Sequence, residues 1–210
     1  MGNRAVITTR ENFDNNGIGI YLHWNGGRDS VEAFLKYCEL KGYRRPDKDN
    51  YGWARLCQVI GNFFGGSTSV GIDTVDKLDC DNWDNGVYII EGWKIVDRKY
   101  FEGCEQTNHK LEEMLMEIDK NMPEKEQIGE YLKAKEVSVN EVTIGDTVFM
   151  IDYNGNVMKH KVVGFGVDEY KNGTYVNGMP YVDLYADDNG NYDWNCNNYI
   201  RTKTVRVVRE

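Results

Sequence analysis

The chain has 210 residues, of which 40% are hydrophobic, with 14 Tyr and 5 Trp. A disordered chain carries fewer of both, and this length accommodates one large domain or two small ones, each with a core. A formal net charge of −9 disfavours general attraction to nucleic-acid phosphates, leaves a local basic patch open, and suits contact with a basic surface such as the phosphate-binding groove of another protein.

No apolar run approaches the ~20 residues that cross a bilayer. The opening stretch MGNRAVITTREN has no apolar signal region and lacks Ser or Thr at the sixth position, where myristoylation requires it. A cytoplasmic protein without membrane contact is expected.

In chain order, residues 4–9 (RAVITT) and 17–24 (GIGIYLHW) read as strands separated by a polar turn. Asn25-Gly26-Gly27 stops the second strand. Asp29 is the expected N-cap of a helix, with Glu32 as its capping-box partner. Val31, Phe34, Leu35 and Cys38 repeat at helical spacing until Gly42. After a basic loop from Lys41 to Lys48, a second helix runs from about Tyr51 to Phe64 and stops at Gly65-Gly66. Its expected stripe is Ala54, Cys57, Ile60 and Phe64, widened by Leu56 and Phe63. A strand over 69–75, an Asp-rich turn, and strands over 86–91 and 93–98 meeting at Gly92 complete a β-β-α-α-β-β-β unit. This is an α+β arrangement with helices over one sheet face.

Residues 105–120 read as a charged helix buried along Leu111, Leu115 and Ile118; Pro123 breaks it and opens a shorter helix through Ala134. From Val137 onward, short strands alternate with turns at Asn154-Gly155, Asn172-Gly173 and Asn189-Gly190. That spacing suggests a small antiparallel barrel of SH3-like type. The expected division is a domain over 1–104, a helical linker over 105–136 and a barrel domain over 137–210.

The chemistry-bearing residues fit no familiar template. The five cysteines, Cys38, Cys57, Cys80, Cys104 and Cys196, are scattered and never form a Cys-x-x-Cys pair. They read as reduced thiols rather than disulfides or zinc ligands. His23, at a strand end before Gly26, Gly27 and Arg28, could face an anion at the following helix N-terminus. Nothing there matches a phosphate loop or a dinucleotide fingerprint, and a purely structural role stays open. Of the other histidines, His109 falls on the charged helix and His160 between two lysines in a strand. No nucleophile motif supports either, although an unfamiliar enzymatic site around His23 also remains open.

Asp73, Asp76, Asp79, Asp81 and Asp84 are rich in carboxylates, but counting an EF-hand from Asp79 puts Trp83 fifth and Asp84 sixth, where glycine is required. The run from Asp187 fails similarly, with Tyr192 at the glycine position. Both read as polar turns, and the first also as a negative patch aimed at a partner. Arg44, Arg45 and Lys48, interleaved with Tyr43 and Tyr51 and continued by Trp53 and Arg55, resemble a single-strand nucleic-acid contact. The flanking Asp47 and Asp49 reduce its charge. No metal and no cofactor is expected.

The stretch from GIYLHWNGGRDSVEAFLKYCELKGYR through DNYGWARLCQVIGNFFGG to NGVYIIEGWKIVDR resembles small proteins of mobile elements and phages of anaerobic Gram-positive bacteria. The likeness covers roughly residues 1–105 and brings no assigned catalytic residue. It implies a protein of the kind that inhibits host defence nucleases, as anti-CRISPR proteins do, through surface complementarity. The expected contact residues are Asp76, Asp79, Asp81 and Asp84 in the turn, or Glu112, Glu113, Glu117 and Asp119 on the charged helix. They would meet a nuclease or its RNA–protein complex. The alternative is a nucleic-acid-binding or processing module using His23, Arg28, Arg44, Arg45, Tyr51 and Arg55.

Overall fold

The computed structural model describes residues 2–105, 107–138, 141–151, 155–167, 172–176, 183–184, 199–200 and 204–209. It is a mixed α+β protein whose backbone divides into two units, residues 1–127 and 128–210.

The first unit contains β1 (Ala5–Thr9), α1 (Arg10–Asp14), β2 (Ile18–Leu22), α2 (Arg28–Leu40), α3 (Asn50–Phe63), β3 (Val70–Thr74), β4 (Val87–Glu91), β5 (Lys94–Lys99) and α4 (Leu111–Asn121). Its sheet runs in the order β3-β2-β1-β4-β5. β1 is central and buried along its whole length, which suits its β-branched sequence. It pairs antiparallel with β2 and parallel with β4. Gly92, at φ +59°, takes the first position of the two-residue turn joining β4 and β5, where a positive φ matches the strand twist.

The two faces of this sheet are covered differently. Val6, Val87 and Ile89 pack with Phe13 of α1 and with Leu78 and Cys80 of the loop after β3. The alternate residues, Ala5, Ile7, Ile20, Leu22, Tyr88 and Ile90, are also fully buried and lie under α2 and α3. α2 buries Val31, Phe34, Leu35, Tyr37 and Cys38; α3 buries Trp53, Leu56, Val59 and Ile60.

Several local expectations change. Ala54 is exposed and Trp53 is buried, so the α3 stripe is rotated by one residue towards the indole. α2 begins at Arg28 with Gly27 at the cap. Glu32 pairs with Arg28 at 2.7 Å instead of reaching back to a capping residue. α4 starts at Leu111, later than anticipated, and packs against both α2 and α3. Its buried residues are Met114, Leu115, Ile118 and Asp119, while Leu111 stays 46% exposed. The anticipated linker over 105–136 therefore divides, with α4 closing the helical layer of the first unit.

The second unit holds α5 (Gly129–Lys133), β6 (Lys135–Ser138), β7 (Thr147–Ile151), β8 (Val157–Val167), β9 (Asn172–Val176), β10 (Asp183–Leu184), β11 (Tyr199–Ile200) and β12 (Thr204–Val208). β6-β12-β7-β8-β9 form one sheet, and β10 and β11 a short parallel pair. Among the described residues no closed barrel forms: β6 and β9 are the two ends of the sheet and do not pair. Asn172 and Gly173, anticipated as a turn, lie in β9 opposite Val167 and Gly166. Val137, Val142, Val148, Val162, Val205 and Val207 make its core. Arg206 donates to the carbonyls of Tyr131, Leu132 and Ala134, which satisfies the end of α5. The Asn189-Gly190 turn, the Asp187–Asn198 run and Cys196 lie outside the described residues.

Arg98 on β5 ties the first sheet to the chain leaving it. Its guanidinium lies between the rings of Tyr88 and Phe101, 4.4 and 3.4 Å from their centroids. It donates to the backbone and side-chain oxygens of Asn85 and to Glu105. Its side chain is 10% exposed, so removing the charge leaves desolvated acceptors without a donor. Arg98→Met is expected to lower unfolding free energy by about 2–4 kcal/mol, whereas Glu105→Gln, on the exposed side, should cost less than about 1 kcal/mol. Urea unfolding of the two variants measures the contrast.

Candidate functional site

The loop from Asp79 to Gly86 is built around one buried amide. Asn82 is fully buried, and its Oδ1 accepts the backbone N–H groups of Asp84, Asn85 and Gly86. Its Nδ2 donates to the carbonyls of Asp79 and Gly86. Asn85, also buried, donates to Asn3 Oδ1 at 2.7 Å and to the Arg4 carbonyl. Gly86 adopts φ +63°, and a Cβ there would collide with the carbonyls of Lys99 and Tyr100, so this position requires glycine. The loop is thereby fixed to β1 and to the end of β5.

This fixed loop holds Trp83 out in solvent. The indole is 90% exposed, and its residue has φ +59°, a conformation that costs a bulky side chain roughly 1–3 kcal/mol. Beside it lies a cleft of about 450 Å³ lined by Asp81, Trp83, Asp84, Tyr100, Glu102 and Gly103. Tyr100 is 54% exposed and likewise has a positive φ, +53°.

The acidic residues of this ledge are not equivalent. Asp84 receives a 2.7 Å ion pair from Arg4 Nε, and Asp79 lies 3.5 Å from Arg4 Nη1. Hydrogen bonding to Asp84 raises the Arg4 pKa. Asp81 and Glu102 make no side-chain hydrogen bond or ion pair among the described residues. Asp76 stands apart on a 3-10 turn, where the Thr74 hydroxyl and then Asn16 hold its carboxyl below the usual range.

The other acidic candidates lie elsewhere. Glu112, Glu113 and Glu117 are exposed on α4, with Glu113 paired to Lys110 at 2.8 Å. Asp119 is not part of that surface: it is 3% exposed and accepts the Tyr37 hydroxyl at 2.6 Å. Its register turns it under the helical layer instead of outward. Because α4 covers the α2–α3 side, whereas Leu78 and Cys80 of the loop cover the other face, the two acidic sets lie on opposite sides of the sheet.

Two of the three arginines of the alternative basic site are paired to carboxylates, and the third is bonded to a neutral amide. Arg44 pairs with Asp49 at 2.8 Å and lies over the Tyr51 ring; Arg45 pairs with Asp47 at 3.0 Å; Arg55 bonds Gln58 and lies over Tyr43. Trp53, expected on that face, belongs to the core. Burial and the neighbouring Glu126 push the Tyr43 hydroxyl up to about 12.

At the start of α2, the Asp29 carboxylate accepts the N–H groups of Asn108 and His109 as well as Ser30. A carboxylate already occupies the place an anion would take. Arg28 is held by Glu32 and, at 3.6 Å, by Glu105. Gly26 serves packing: a Cβ there would come 2.6 Å from the Asn3 carbonyl. His23 is exposed, 3.3 Å from the Tyr21 hydroxyl and edge-on to Trp24. His109 precedes α4, with Nε2 3.2 Å from Asn25 Oδ1. The His160 side chain lies outside the described residues.

Among the described residues no group of three or more His, Cys, Asp or Glu is placed to hold a metal ion, and no helix is long and apolar enough to cross a membrane. Cys38, Cys57, Cys80 and Cys104 are free thiols, and burial pushes the Cys38 thiol up. Trp83, Tyr100 and Glu102 went unrecognised in the sequence. The available signal was a tryptophan inside DCDNWDNG, a polar turn that offers it no apolar face on which to pack. No protein-family model, curated protein or solved structure matches the chain.

The loop carboxylates give this unit a defined acid sensitivity. Asp49 caps α3 through the Tyr51 N–H, and its pKa is lowered by Arg44 first and by that N–H second. A folded-state pKa below the unfolded one contributes stability that is present above about pH 4 and lost as pH falls through the lowered value. Asp49→Asn should therefore lower Tm at neutral pH, with the difference shrinking as pH falls below about 4. Thermal unfolding across that range checks the sign.

Proposed function

We propose that this protein acts by binding another protein, and that the ledge formed by residues 79–84 and 100–103 is the contact surface. The observation that carries this reading is Trp83, an indole 90% exposed on a loop whose backbone is tied down. A large aromatic held in solvent on a rigid support loses little conformational freedom on binding and fits the pattern of an interface anchor. Unpaired carboxylates at Asp81 and Glu102 beside it give the surface a negative rim, which steers it to a basic partner.

The partner proposed is a nucleic-acid-directed defence nuclease, or its RNA–protein complex, whose phosphate-binding surface the ledge occupies; the protein is then an inhibitor of the anti-CRISPR kind. Supporting this are the net charge of −9 and the resemblance of residues 1–105 to proteins of mobile elements and phages. The pairing of Arg44 with Asp49 and of Arg45 with Asp47 favours it over a nucleic-acid-binding module. A cytoplasmic setting suits the free thiols.

Trp83→Asn separates binding from folding, because asparagine tolerates a positive φ better than tryptophan. The variant should unfold at the same temperature as the parent or a higher one. It should lose capture of the nuclease by about 30-fold or more, the scale of an aromatic hot spot. Affinity purification from cells bearing defence nucleases, with and without nuclease treatment, measures this. Recovery of nucleic acid alone, or equal capture by parent and variant, overturns the proposal.

A further inference from the structure

Resting on the reading of the ledge as a protein-binding surface, we propose that the cleft beside Trp83 is a receptor for one arginine side chain of the partner. The cleft, at about 450 Å³, lies near the lower end of ligand-pocket sizes, which run from ~300 to 1,000 Å³. It has room for a side chain and its flanking backbone. Its walls combine two aromatic residues, Trp83 and Tyr100, with three carboxylates, Asp81, Asp84 and Glu102, and none of these lining residues is basic. An anionic occupant such as a phosphate would meet the carboxylates of Asp81 and Glu102 and no basic side chain on the wall.

The carboxylates divide the work. Asp84 is already engaged by the chain's own Arg4 at 2.7 Å, so its charge is largely answered from within. Asp81 and Glu102 have no side-chain partner among the described residues and are the groups available to an incoming cation. With two aromatic rings beside them on the cleft wall, they suit an organic cation that can stack as well as pair.

Arginine suits the cleft better than lysine. A planar guanidinium can lie over an indole with its face and still donate from its edge to a carboxylate, and it sheds water more readily than an ammonium. The fold already contains this arrangement: Arg98 sits between Tyr88 and Phe101 and donates to Glu105 at 2.6 Å. At the cleft, Trp83 takes the stacking role, and Asp81 and Glu102 take that of Glu105.

The test uses the full chain and two short capped peptides, acetyl-Gly-Arg-Gly-amide and acetyl-Gly-Lys-Gly-amide. The indole N–H signal of Trp83 is assigned in a 15N spectrum by its loss in Trp83→Asn. The arginine peptide should shift this signal saturably and leave the other indoles unmoved. The lysine peptide should bind about fivefold more weakly or worse. The double variant D81N/E102Q, altered at two exposed positions, should weaken the arginine peptide about tenfold. Equal responses to the two peptides, a response that survives D81N/E102Q, or no saturable shift overturns the proposal. Those results leave the partner-binding reading intact if Trp83→Asn still abolishes capture. If capture proves insensitive to Trp83 while the arginine peptide binds as described, the partner-binding reading fails and the receptor stands.

Discussion

The five hydrogen bonds around the Asn82 amide are the constraint on which the candidate site depends. A loop with this many polar residues would ordinarily sample many conformations. Here a buried side chain accepts three backbone N–H groups, of which that of Asn85 also reaches the Arg4 carbonyl, and it returns two donors to the same loop. Asn85 extends the fixation to Asn3, Arg4 and Arg98, so the loop, β1 and β5 form one polar-bonded body. Against that support, the unfavourable backbone angle of Trp83 can be sustained. The indole is exposed because its surroundings hold it there.

Asymmetry between the two faces of the first sheet follows from chain order. Both faces of β1 and β4 are apolar and need cover. One receives the long amphipathic helices α2 and α3, sealed by α4. The other receives α1 and the loop after β3, contributing Phe13, Leu78 and Cys80. A helical layer offers a polar outer surface of solvated charges, as α4 does with Glu112 and Glu117. A loop layer is thinner and can present single side chains at fixed angles, as it does with Trp83. The two acidic groups suggested by composition are thus unlike in kind, and on opposite faces they cannot serve one contact.

What the sequence made legible is what local pattern determines. The β-branched and aromatic runs of β1 and β2, the helical spacing of Val31, Phe34, Leu35 and Cys38, and the hairpin at Gly92 all depend on neighbours within a few positions. Non-local packing decided the rest. Asp119 looks like a surface carboxylate until Tyr37, 82 positions away, supplies its hydrogen bond. Asp84 and Asp79 look free until Arg4 reaches them from β1's leading end. A helix as charged as α4 resembles a solvated linker, because its apolar stripe of Met114, Leu115 and Ile118 is narrow and gains meaning only against α2 and α3. The exposed Trp83 was visible as a tryptophan in a turn, but its support by Asn82 was not, since an asparagine in a polar loop is ordinarily solvated.

The parallel pairing of β1 with β4 joins residues 6–9 to residues 87–90, and this separation orders events during synthesis. Until the ribosome has released β4, β1 has a partner on one side only, and the backbone N–H and C=O groups of its other edge remain unpaired. The long helices α2 and α3, which lie between them in the chain, can form early but have an incomplete sheet on which to dock. Closing the centre of the sheet is therefore a late, high-contact-order step. The nascent first unit must keep its central, most buried strand out of intermolecular pairing for about eighty residues of elongation.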